Sequence, residues 1–82
     1  MSSLNYAFGT TICRIRKEKG ISQLAMEADF GISRKYLSDV ENGKRNVSLD
    51  FVEKMAKALD VTLQEIFDCM ITEKEMRWDT LE

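Results

Sequence analysis

Four places along this chain repeat one arrangement: an apolar residue, then Ser or Thr, then a second apolar residue five positions after the first. They are Ile21-Ser22 with Met26, Ile32-Ser33 with Leu37, Val47-Ser48 with Val52, and Val61-Thr62 with Ile66. A hydroxyl flanked this way starts a helix, because it accepts a hydrogen bond from an otherwise unpaired N–H while the two apolar side chains clamp the incoming chain. Glu65, three residues after Thr62, completes a reciprocal capping box. The pattern predicts helices over 5–19, 23–29, 34–42, 49–59 and 63–70. The first carries Phe8, Ile12 and Ile15 inward and closes at Gly20. It contains Gly9, which costs about 1 kcal/mol relative to alanine. The fourth buries Val52, Met55, Ala56 and Leu59 at i, i+3, i+4 and i+7. No alternating strand pattern, internal repeat or low-complexity linker interrupts the series. The expected fold is all-α, five helices in one domain over 1–70, with 71–82 as a C-terminal tail.

The third predicted helix is the most informative. Leu37, Val40 and Glu41 fall on its inward side, leaving Arg34, Lys35, Ser38, Asp39 and Asn42 outward. Gly43 ends it, with a positive φ expected, and the basic turn Lys44-Arg45 follows. A short helix with basic and hydroxyl groups on one face, then a basic turn, suits a DNA groove.

Composition first argues the other way. The 82 residues hold 12 Lys or Arg and 14 Asp or Glu, a net charge of −2, whereas DNA-binding domains are often strongly basic. The distribution reverses that reading. Residues 1–47 carry eight basic against five acidic side chains, and residues 48–82 carry four against nine. A basic half can face phosphates while an acidic half faces away. The chain has no histidine, and Cys13 and Cys69 lie far apart outside any metal-ligand spacing. They read as free thiols of a reducing cytoplasm, with no metal and no cofactor. There is no apolar run long enough to span a membrane and no secretory signal pattern.

The segments 23–29 and 34–42, joined through Phe30-Gly31-Ile32-Ser33, have the lengths and tight turn of a helix-turn-helix. Arg16-Lys17-Glu18-Lys19-Gly20-Ile21-Ser22-Gln23, Gly31 through Ser38, Val40-Glu41-Asn42-Gly43-Lys44-Arg45, Ser48-Leu49, Met55 through Leu59 and Glu65-Ile66-Phe67 occur in order. Together they resemble the phage Cro/repressor-type (XRE) helix-turn-helix regulators over about residues 8–68. Lys44-Arg45-Asn46-Val47-Ser48 most resembles the small controller proteins of restriction–modification systems.

The resemblance implies a compact lambda-repressor-like DNA-binding domain that acts as a homodimer on pseudo-palindromic double-stranded DNA. It is not expected to be an enzyme. It further implies that Gln23 touches a phosphate at the start of the second helix. Arg34, Lys35 and Ser38 would face base edges in the major groove, with Tyr36 and Lys44 or Arg45 reaching the backbone, and Ser33 and Asn46 belong to the same DNA-binding set. Arg34 is the first choice for direct readout of guanine. Arg16 and Glu41 match an internal ion pair of the family. A regulator of this kind represses, or activates by touching RNA polymerase, according to where it sits on a promoter. An antitoxin-like module using the same fold for protein contacts is the alternative.

Three further expectations follow. Where the family has Leu-Ala in helix two, this chain has Met26-Glu27. Either Met26 takes the leucine position, which the pairing of Ile21 with Met26 favours, or Leu24-Ala25 is that segment displaced by two residues. The dimer interface is expected at Val61, Leu63, Ile66, Phe67, Met70 and Ile71. Trp78, in a tail whose other large apolar residues are Met76 and Leu81, either stays in solvent or packs across a dimer or onto another protein.

Overall fold

The computed structural model describes residues 3–72, so the tail expectations, including Trp78, lie outside the described residues. Five helices follow in order: α1 Ser3–Glu18, α2 Gln23–Phe30, α3 Arg34–Glu41, α4 Leu49–Leu59 and α5 Leu63–Thr72. Among the described residues there is no strand, and no helix is long and apolar enough to cross a membrane.

Every helix start after the first is made by the hydroxyl expected there. Ser22 Oγ accepts from Ala25 N at 2.9 Å, Ser33 Oγ from Tyr36 N at 3.3 Å and Ser48 Oγ from Phe51 N at 3.1 Å. Thr62 and Glu65 form the reciprocal box, each side chain accepting from the other's N–H at 3.0 Å. α1 begins two residues earlier than the periodicity predicts. α3 stops at Glu41 because Asn42 serves as its C-cap, and its N–H returns to Ser38 O. Gly43 then takes φ 73°, a left-handed turn that redirects the chain toward the basic segment.

The helices enclose one core. α1 packs along α3 and α5 and touches α4, while α2 leans on α3. Phe8, Ile12, Met26, Leu37, Met55, Leu59 and Ile66 are essentially inaccessible to solvent. Met26 is fully buried and Leu24 is 57% exposed, so helix two holds the undisplaced register and Glu27 turns outward. The close helix approach instead falls at Gly9. A Cβ there would run into the Val40 carbonyl oxygen and stand 3.2 Å from Glu41 Cα.

One sequence expectation needs correcting. Ile66 and Met70, assigned to a dimer interface, lie inside the domain's own core at 0% and 3% exposure, because they project from α5 toward the interior. Val61 is half-buried against the same core. The other three residues of that set, Leu63, Phe67 and Ile71, are exposed, and Leu49 and Leu4 are exposed with them.

Candidate nucleic-acid interface

The outward surface of α3 and the turn after it is assembled from α1, α2 and α3 together. At its base lies a buried ion pair. Arg16 of α1 donates from Nε to Glu41 Oε2 at 2.7 Å and from Nη2 to Glu41 Oε1 at 2.9 Å. The two side chains are only 8% and 5% exposed. Arg16 Nη1 also donates to Ile21 O at 2.8 Å, and Gln23 Nε2 donates to Glu41 Oε1 at 3.1 Å. This network ties α1, the connection into α2, the first residue of α2 and the last residue of α3 to one point. Charged groups out of water need such satisfied partners. The Glu41 hydrogen bonds in turn hold the Arg16 guanidinium above its ordinary pKa despite burial.

The half-buried Cys13 thiol sits beside the pair, and Arg16 Nη2 approaches its Sγ at 3.9 Å. Burial, reinforced by the Glu41 charge, pushes this thiol above its ordinary pKa. It is therefore a poor nucleophile at neutral pH. Cys69 is likewise a free thiol. Among the described residues there is no group of three side chains able to hold a metal ion.

Above this base stand the basic residues. Arg34 and Lys35 occupy the first turn of α3, with side chains 57% and 83% exposed. Arg34 Nε donates to Glu27 Oε1 on α2 at 3.1 Å. Asp39 draws two other cations toward itself. Lys35 Nζ lies 3.8 Å from Asp39 Oδ2, and Arg45 donates to the same oxygen from Nε and Nη2 at 3.3 Å. Arg45 also lies over the Tyr36 ring at 5.4 Å from its centroid, and that ring packs edge-on against Phe51 at 5.0 Å. Tyr36 is thus half core and half platform. Ser33 is engaged as the cap of α3, and Ser38 is half-buried on the α3 surface.

The basic turn is pinned from α1. Asn5 Nδ2 donates to Asn46 Oδ1 at 2.7 Å, and Asn5 Oδ1 accepts from Val47 N at 3.0 Å. Lys44 is exposed, and its backbone N–H donates to Asp39 O at 2.8 Å. The structure therefore gathers Arg34, Lys35, Tyr36 and Arg45 around α3, while Gln23 and Asn46 are engaged by Glu41 and Asn5.

Sequence reasoning did not find Glu27, Asp39 and Asn5 as organisers of this surface. The Lys35–Asp39 spacing of four was a readable signal. The seven-residue reach from Glu27 to Arg34 and the separation of Asn5 from Asn46 carry no local signature.

Comparison with known proteins agrees with this architecture. The family described as "Helix-turn-helix" matches residues 14–66. The control protein C.MunI of Mycoplasma sp is 43% identical over 68 residues, which is 82% of this chain and 92% of that protein. The control protein C.BamHI of Bacillus amyloliquefaciens is 38% identical, covering 82% of this chain and 84% of its own length. Among solved structures, the restriction–modification controller protein C.AhdI from Aeromonas hydrophila superposes with a TM-score of 0.71 at 40% identity. It covers 77% of this chain and 96% of its own. The controller protein C.Esp1396I, solved as a tetramer with its natural 35 base-pair operator, gives a TM-score of 0.80 at 31% identity. The match covers 92% of this chain and 96% of that one.

Proposed function

Since the chain belongs to the helix-turn-helix family of non-enzymatic DNA-binding regulators and is similar to restriction–modification controller proteins, we propose that it is a sequence-specific transcriptional regulator of that controller type. It binds a pseudo-palindromic operator in double-stranded DNA as a homodimer. The observation that carries this reading is the pair Arg34 and Lys35 on the first turn of α3, exposed above a rigid base.

In this reading α3 enters the major groove with its N-terminal turn leading, so Arg34, Lys35 and Ser38 face base edges, while Ser33 caps the helix at the DNA surface. Arg34 takes a guanine through a two-pronged hydrogen bond, worth about 1–3 kcal/mol of discrimination. Gln23 and the free N–H groups at the start of α2 meet a phosphate, favoured by the positive end of that helix. Lys44, Arg45, Tyr36 and Asn46 contact the backbone flanking the groove and fix register without reading sequence. The buried Arg16–Glu41 pair serves structure: it sets where α3 stands relative to α2.

One such helix reads only a few base pairs, and two-fold symmetry supplies the second. Recognition helices about 34 Å apart place the half-sites on one face of the duplex, roughly one turn apart. The position of the operator relative to the promoter then decides between blocking RNA polymerase and recruiting it.

The test begins with selection of bound duplexes from a random pool, which returns a half-site and its symmetry. Fluorescence anisotropy on that duplex and on random DNA then separates the roles. Arg34→Ala is expected to relax base preference at one position of the half-site, and Gln23→Ala to weaken all duplexes evenly. Equal loss on both duplexes for Arg34→Ala would remove its readout role. A pool that yields no common sequence would remove the operator itself.

A further inference from the structure

Glu27 has no packing role that accounts for a carboxylate. Its side chain is 43% exposed, and the partner the structure gives it is Arg34 Nε at 3.1 Å. It stands on α2, across the turn from the first residue of α3. A negative charge beside a groove lined with phosphates opposes binding to any duplex, whatever its sequence. An exposed ion pair contributes little to folding. Neither affinity nor stability explains the residue.

The chemistry of arginine does. A guanidinium presents two hydrogen-bonding edges to a planar acceptor pair: an end-on edge made of both Nη groups and a side-on edge made of Nε with one Nη. Here Nε is occupied by Glu27, and the structure gives neither Nη group of Arg34 another partner among the described residues. The end-on edge is what remains for a ligand. Holding Nε also fixes the plane of a side chain that otherwise has four rotatable bonds, so less freedom is lost when it docks.

We infer that Glu27 is a positioning residue for base readout: it fixes Arg34 so that only the end-on fork meets guanine O6 and N7. This rests on the reading that α3 enters the major groove. Glu27 then lowers affinity for DNA in general while raising discrimination at one base pair, and both effects sharpen the choice of operator.

Glu27→Ala and Glu27→Gln, alone and combined with Arg34→Ala, test this on the selected operator, on a duplex with the Arg34 guanine replaced, and on random DNA. Thermal melting of each variant is expected to match the parent. Glu27→Ala is expected to reduce the guanine preference roughly three- to tenfold, a part of the full bidentate discrimination, while binding random DNA more tightly. Glu27→Gln loses the charge but keeps an acceptor for Nε, so it should tighten random binding equally and retain most of the preference. With Arg34→Ala in place, Glu27→Ala should leave base preference unmoved. If Glu27→Ala shifts every duplex by one common factor and leaves guanine preference intact, Glu27 acts only as a charge and the positioning role is overturned. If Arg34→Ala itself moves no base preference, the groove reading fails first, and this role with it.

Discussion

Gly9 sits where α1 crosses α3, and the contact inverts what its sequence context implies. In a helix interior exposed to water, replacing glycine by alanine gains about 1 kcal/mol. Here the added Cβ would meet the Val40 carbonyl oxygen and come within 3.0 Å of Val40 C and 3.2 Å of Glu41 Cα. These are backbone atoms that cannot rotate aside. Gly9→Ala is therefore expected to destabilise by about 1–3 kcal/mol, read as a lower urea midpoint. An increase in midpoint would show that the crossing relaxes freely. The same crossing carries Glu41, whose carboxylate serves Arg16 and Gln23 at once. Glu41→Ala leaves the Arg16 charge buried without its counterion, and a loss of roughly 3–5 kcal/mol is expected in the same titration. A change below 1 kcal/mol would mean that water reaches the guanidinium.

At the scale of elements, the caps explain why so much was legible. Ser22, Ser33, Ser48 and Thr62 each act locally, on an N–H three residues away, so their effect is written in adjacent letters. Met26 settled in the core for a similar reason: its spacing from Ile21 fixes the helix-two register. The parts that escaped depend on which elements meet. The need for Gly9 arises from α3, the hold on Asn46 from Asn5 in α1, and the hold on Arg34 from Glu27 across a turn. The assignment of Ile66 and Met70 to an interface failed likewise, since the facing of α5 depends on where α1 and α4 lie. The capping box gives this scale its own prediction. Hydrogen bonds from Thr62, backbone first, hold the exposed Glu65 carboxyl below its ordinary pKa. A carboxyl whose folded pKa is depressed stabilises above its unfolded pKa, near 4.3, and that contribution disappears as pH falls through the folded value. Lowering pH from 6 to 3 should thus narrow the stability gap between the parent and Glu65→Ala in parallel melts. A gap that does not depend on pH would remove the charge from the explanation and leave only helix propensity.

For the whole molecule, the two halves of the sequence differ in charge and in surface. The basic side chains of residues 1–47 include those around α3, while residues 48–72, which form α4 and α5, carry five acidic against two basic side chains. That half also exposes Leu49 at 83%, Leu63 at 43%, Phe67 at 40% and Ile71 at 55%, with Leu4 of α1 nearby at 46%. Leu49, Leu63 and Phe67 line one shallow depression, and Leu4, Leu49 and Phe67 line its neighbour, so these side chains form a patch. Contiguous apolar surface of this kind marks contact sites. A two-fold dimer through it, as we propose, would use no residue of α3 among those lining the patch. Leu49→Asp is the informative variant because Leu49 is the first residue of α4, where a carboxylate suits the helix N-terminus and the fold should be kept. Burying a leucine contributes about 1.5–3 kcal/mol, and symmetry enters each substitution twice, so dimer dissociation should strengthen by at least roughly 100-fold. Sedimentation equilibrium should show the parent as a dimer at micromolar concentration and Leu49→Asp as a monomer with an unchanged melting profile. On a two-half-site operator the variant should bind weakly and without cooperativity, yet keep the base preference of a single half-site, because no residue lining the patch belongs to α3. A parent that stays monomeric at 100 μM without DNA would assign assembly to the operator, with the patch closing only when two subunits share a duplex.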